Sequence, residues 1–132
     1  MVAYQTIIFV GIHNKPDTPA LDSSTKTGKI IDQIIKVIDD GKRTIKKANY
    51  FDHTHIPSDG ANASKYYSDF RSRLQYNPKK TLLIGLGADV KKYLSPALGV
   101  ESFLWVRHPA SLWSKEAQST YVTQLAWIIL LA

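Results

Sequence analysis

Short apolar runs alternate with segments of helical periodicity along this chain, and that alternation constrains the fold more than any other feature. Thr6-Ile-Ile-Phe-Val10 is apolar without a break and stops at Gly11. Such a run suits a strand buried on both faces, as in a parallel sheet. Ile30, Ile31, Ile34, Ile35, Val37 and Ile38 then recur at helical spacing, which predicts a helix over 27–40 with Gly41 placed to end it. Arg43 to Phe51 reads as a second, more polar strand nearer an edge. Asn62 to Tyr76 reads as a helix with an aromatic face of Tyr66, Tyr67 and Phe70, closed by Asn77-Pro78. Thr81 to Gly85 is a third strand, and Leu86-Gly-Ala-Asp89 turns into a short helix through Leu94. Ser102 to Val106 is a fourth strand. The last helix starts near Ser114, which can cap it, and carries Tyr121, Val122, Leu125, Ile128 and Ile129 on its apolar side.

Strand and helix therefore alternate four times within 132 residues, a length that suits one domain. Right-handed crossovers between such strands give a three-layer α/β/α sandwich around a central four-stranded parallel sheet. Ligands bind beyond the carboxyl ends of the strands in folds of this class. The loops 11–26, 49–59 and 107–113 all gather at that edge.

The chain has no cysteine, which excludes disulfides, cysteine-ligated zinc or iron–sulfur sites and a thiol nucleophile. Its formal net charge of +6 draws it toward phosphate-rich partners. The positive residues are scattered in pairs such as Lys42-Arg43, Lys46-Lys47, Lys79-Lys80 and Lys91-Lys92, which taken singly read as solvated surface. The apolar stretch from Trp127 to Leu131 is too short to span a bilayer, and the first residues lack the basic region of a signal peptide. A cytoplasmic monomer that does not engage membranes is expected.

Several constellations bear on chemistry. Gly85-Leu-Gly87 lacks the third glycine of a dinucleotide fingerprint and reads as a tight turn that lets a helix pack on the sheet. His53 and His55, with Asp52 and Asp59, have no third metal ligand at a diagnostic spacing and read as a polar loop. Ser111 near His108 lacks a nucleophile elbow. His108-Pro109 after an apolar strand is more informative. A histidine at the carboxyl edge of a parallel sheet can donate to an anion developing on a substrate, or simply cap a strand end.

Taken in order, four segments resemble the uracil-DNA glycosylase superfamily. Phe9-Val-Gly-Ile-His-Asn14 is similar to the family's first motif, in which an apolar strand ends in glycine before a catalytic loop. Thr25-Lys-Thr-Gly-Lys-Ile-Ile-Asp32 resembles the threonine- or serine-glycine step that opens the first helix. Asn49 stands at the end of strand two, like the family's base-reading asparagine. Leu82-Leu-Ile-Gly-Leu-Gly-Ala-Asp89 and Arg107-His-Pro-Ala-Ser-Leu112 are similar to its Leu-Gly step and its His-Pro-Ser or His-Pro-Ala motif.

The resemblance implies a DNA partner and no cofactor. A base is flipped out of the helix into a pocket, and its glycosidic bond breaks through an oxocarbenium-like sugar. His108 would stabilise the charge on the leaving base, Asn49 would read its amide edge, and Gly11 and Ile12 would line the pocket. The water-activating position, two after the glycine, holds His13, which can act as a neutral base, and Asn14, which can hold a water. Asp17 and Asp22 are the nearby carboxylates. Tyr50 or Phe51 would stack on the base or else belong to the core. Lys15, Lys26, Arg107 and Ser111 would contact DNA, and Leu112 or Trp113 would wedge into the gap left by the flipped nucleotide. The expected activity is hydrolysis of uracil or a related damaged base from DNA. The alternatives are an altered member that binds nucleic acid or a nucleobase without excision, and a small-molecule enzyme of another α/β family.

Overall fold

The computed structural model describes residues 4–12, 19–51, 63–94 and 102–132. Strands β1 (Thr6–Gly11), β2 (Thr44–Asn49), β3 (Thr81–Leu86) and β4 (Ser102–Val106) alternate with helices α1 (Lys26–Ile38), α2 (Ala63–Leu74), α3 (Ala88–Leu94) and α4 (Lys115–Leu131). The strands form one sheet in the order β2-β1-β3-β4, and every neighbouring pair is parallel. Parallel neighbours need crossovers, which the helices supply.

Alternation along β1 explains why its sequence is apolar without a break. Ile7 and Phe9 enter a core with Ile30, Ile31, Ile34 and Ile38 of α1 and Val122, Leu125, Ala126 and Ile129 of α4. Ile8 and Val10 point the other way, into a core with Tyr67 and Phe70 of α2 and Val90 and Leu94 of α3. Helices thus cover both faces of the sheet, and each fully buried aliphatic side chain contributes about 1.5–3 kcal/mol relative to exposure.

Helix ends depart from expectation where polar side chains compete for the backbone. The helix expected to reach Asp40 stops at Ile38, with Asp39 as its cap. The Asp39 carboxylate accepts from Gly41 N at 3.0 Å, and Asp40 accepts from Lys42 N at 2.9 Å. These short-range bonds peel the chain off the helix before Gly41 (φ +74°) turns it toward β2. The helix expected to reach Tyr76 stops at Leu74, because Gln75 is left-handed at φ +48°. Ile128 was expected on the apolar side of α4 but is 49% exposed, while Ala126 is buried.

Ser114 caps α4 as expected, its Oγ accepting from Ala117 N at 3.0 Å. Ser114→Ala is expected to cost about 1 kcal/mol. The urea midpoint should fall with no change in the slope of the transition.

The chain leaves β1 for β2 through α1 on one face and leaves β3 for β4 through α3 on the other. The two exits part, which opens a crevice at the carboxyl ends of β1 and β3. Beyond the strand ends, Tyr50 N donates to Gly11 O at 2.8 Å and Phe51 N to Ile12 O at 3.0 Å, so the floor of the crevice is tied. Among the described residues, no helix is long and apolar enough to cross a membrane.

Candidate functional site

Asn49 ends β2, one edge strand, and His108 follows β4, the other. Three inter-strand spacings, about 14 Å, separate those edges. Both side chains lean inward over glycines of the two central strand ends. A Cβ built on Gly11 would lie 3.2 Å from Asn49 Oδ1 and 3.1 Å from Leu21 Cδ2. A Cβ built on Gly87 would lie 3.3 Å from both Cβ and Cδ2 of His108. The glycines leave room for an amide over one central strand end and an imidazole over the other. Gly85 lies within β3 rather than in the turn, and a Cβ there would meet the Phe103 ring of β4 at 2.8 Å before Val90 of α3 at 3.1 Å, so its closest neighbour is a strand side chain. Gly87, at φ +94°, also seats the histidine.

His108 is held in one tautomer. Its Nδ1 accepts from Ala110 N at 3.1 Å, capping the 3-10 turn Pro109–Ser111. A nitrogen that accepts an amide proton carries none itself, so the imidazole proton of the neutral ring sits on Nε2. Burial pulls its pKa below the ordinary 6.5, and the charge of Asp89 opposes that pull. The ring is therefore mostly neutral at pH 7, a hydrogen-bond donor rather than a cation.

The turn around it is braced from several elements. Ser111 Oγ donates to His108 O at 2.7 Å and accepts from Arg107 Nε at 2.7 Å. Arg107 Nη2 reaches Ser111 O at 3.2 Å. Tyr121 of α4 donates its hydroxyl to Arg107 O at 2.6 Å, and burial raises its pKa, which keeps that proton in place. The serine hydroxyl thus points at a backbone carbonyl and not at the imidazole. This arrangement is a brace and not a nucleophile–base pair.

Not every expected residue faces the crevice. Tyr50 is only 2% exposed, and its ring stacks on Phe70 with centroids 5.1 Å apart. Its ring belongs to the α2-side core with Phe51, so it is corrected from a base-stacking group to a core residue. Leu112, offered as a wedge, is 5% exposed and packs between α1 and α4. The wedge expectation narrows to Trp113, which is 91% exposed. Lys26 Nζ lies 5.7 Å from the Trp113 ring centroid and 3.4 Å from Ala110 O. Lys26 therefore lies beside the projecting indole, and the exposed Arg107 is tied to Ser111 in the same loop. Asp22 is tied to Ser24, whose Oγ donates to it at 2.7 Å, and this bond lowers its pKa. His13, Asn14, Lys15 and Asp17 lie outside the described residues, as do His53 and His55.

Two supports escaped sequence reasoning. Arg73 of α2 donates through Nη2 to the carbonyls of Asn49 and Tyr50, the second at 3.0 Å, and so clamps the backbone under the amide. Lys47 of β2 donates to Leu21 O at 2.9 Å and pairs with Asp32 at 2.5 Å, which ties the loop before α1 to the sheet. Both contacts join residues more than twenty positions apart, except for the Lys47–Asp32 pair, and leave no local pattern. Two cavities border this edge. One of about 580 Å³ runs between Arg107 and α4, and one of about 470 Å³ lies between Phe51 and α2. Neither is lined by Asn49 or His108, and we place the candidate site by the convergent polar groups rather than by cavity size.

No protein-family model matches this chain, and no curated protein matches it significantly.

Proposed function

We propose that this chain is a DNA glycosylase that hydrolyses the N-glycosidic bond of uracil or a related damaged base after flipping it out of the strand. The neutral His108, with Nδ1 occupied by Ala110 N and the proton on Nε2, is the observation that carries the reading. When the bond between the sugar carbon and the base nitrogen breaks, its electron pair goes to the base, and a fixed neutral donor stabilises that charge as it forms. Asn49, poised over Gly11 on the opposite side, offers both a donor and an acceptor to the amide edge of a pyrimidine or oxopurine. Water supplies the oxygen that joins the sugar carbon, and His13 with Asn14 is proposed to activate it. Trp113, with Lys26 beside it, fits an indole wedge that stacks on bases exposed by flipping, and Lys26 and Arg107 of the neighbouring loop supply cations for phosphates.

A second reading is a protein that binds nucleic acid or a nucleobase in this crevice without cleavage. The Ser24 bond that lowers the pKa of Asp22 favours it, because it makes this carboxylate of the described loop a weaker base toward water.

The test is base release from labelled single- and double-stranded DNA carrying uracil, hypoxanthine or xanthine. Release of at least one base is expected. DNA binding that weakens steeply with salt, with no base released from any substrate, would select the second reading.

A further inference from the structure

Trp105 plays no part in the reading above, yet it touches the turn that seats His108. It lies on the outer strand β4 and is 42% exposed. Its indole nitrogen is nonetheless committed inward, with Nε1 donating to Gly87 O at 2.7 Å. The Gly87 peptide is held by β4 a second time, since Gly87 N donates to Val106 O at 2.9 Å. Between these two bonds lies the Gly87 Cα, the surface against which the His108 ring rests.

A ring held by one hydrogen bond can still rotate about its Cβ–Cγ bond and lose that partner. Ala110 N bonds Nδ1 at 3.1 Å but does not by itself hold the ring plane within reach. The contact with Gly87 supplies that hold. We propose that Trp105 is a positioning residue for His108: its indole N–H fixes the Gly87 carbonyl, and with it the backbone surface that holds the imidazole plane. The inference deepens the donor role given to His108 and rests on it for its effect on rate. Its structural half stands without any reaction.

The competing account is that Trp105 only covers the sheet edge, where Lys91 Nζ sits 4.6 Å over its ring. Charge at this corner comes from Asp89 and Lys91 of α3 and from Arg107 beyond β4. None of these groups is altered by removing an indole N–H, so the two accounts separate cleanly.

The experiment compares the native protein, Trp105→Phe, and a protein in which the indole of Trp105 is replaced by benzothiophene, which keeps the shape and drops the N–H. The readouts are the ¹⁵N shifts of the His108 imidazole, the melting temperature, and kcat and KM for base release. Both altered proteins are expected to move the His108 nitrogens from a single Nε2–H tautomer toward an average of the two. The kcat is expected to fall about tenfold, within the range that small misplacements of a catalytic group produce, with KM unchanged within about twofold. Unmoved nitrogen shifts in the benzothiophene protein would overturn the proposal, whatever happens to the melting temperature or the rate. If Trp105→Phe does not fold, the benzothiophene protein decides alone. If the native protein releases no base, the shifts still decide the positioning role, and the glycosylase reading fails separately.

Discussion

Replacing His108 with alanine is expected to lower the kcat of base release by about 10²–10³-fold, the usual loss when one preorganised donor to developing charge is removed. On the proposed reading the KM for the oligonucleotide should change little, because the groups assigned to DNA contact, Trp113, Lys26 and Arg107, are unaltered. The pH dependence follows from the same geometry. Burial holds the imidazole below the ordinary 6.5, so the neutral ring prevails above that value. Protonation of Nδ1 breaks its bond with Ala110 N, so activity should be flat above pH 7 and fall as pH drops below about 6.5. Stability has the same sign. Between the lowered folded value and the ordinary one, the unfolded chain binds more protons, so stability falls as pH falls through that window. The melting temperature of His108→Ala should lose this part of its pH slope. Native rates in His108→Ala would remove His108 from the chemistry.

The second large effect is structural. A Cβ added at Gly28 would lie 1.9 Å from Asp22 O, 2.4 Å from Asp22 C and 2.5 Å from Leu21 O. These are backbone atoms and cannot step aside as a flexible side chain would. In an exposed helix, alanine is better than glycine by about 1 kcal/mol. Here the sign reverses, and Gly28→Ala is expected to destabilise by about 3 kcal/mol. The displaced loop carries Thr25, whose Oγ1 caps Gly28 N at 3.0 Å, and Leu21 O, which Lys47 holds. Chemical denaturation measures the loss. A variant as stable as the native protein would mean that the loop does not lie on the helix at Gly28.

The sheet was legible because each strand announces itself twice, by composition and by the turn after it. Thr6 to Val10 and Thr81 to Gly85 are apolar on both faces because helices cover both. Asn49 and His108 were legible as polar residues just past strand ends. The residues that hold them were not. Arg73 acts on Asn49 from across α2, and nothing near Arg73 in sequence marks it. Leu112 and Trp113 are adjacent and both apolar. Only the 3-10 turn, which brings Leu112 N to Pro109 O at 3.1 Å, decides which one faces inward. Tyr50 alternates with Asn49 along the extended chain, so a buried ring beside a crevice-facing amide follows from strand geometry once the register is known.

The strand order also sets the tempo of self-assembly. The first strand made is a central one, and Thr6 pairs with both Thr44 and Thr81. A nascent chain must therefore shelter one of its stickiest segments, Ile7 to Val10, until the strand Thr81–Leu86 has been synthesised. The rapid local pairings that let a hairpin form early are absent from the described sheet. Helix α1, which follows β1 and packs on Ile7 and Phe9, is the first described element available to cover it. The same central placement that gives the crevice two firmly held strand ends makes the interval between synthesis of β1 and synthesis of β3 the stage at which this sheet is most exposed to aggregation.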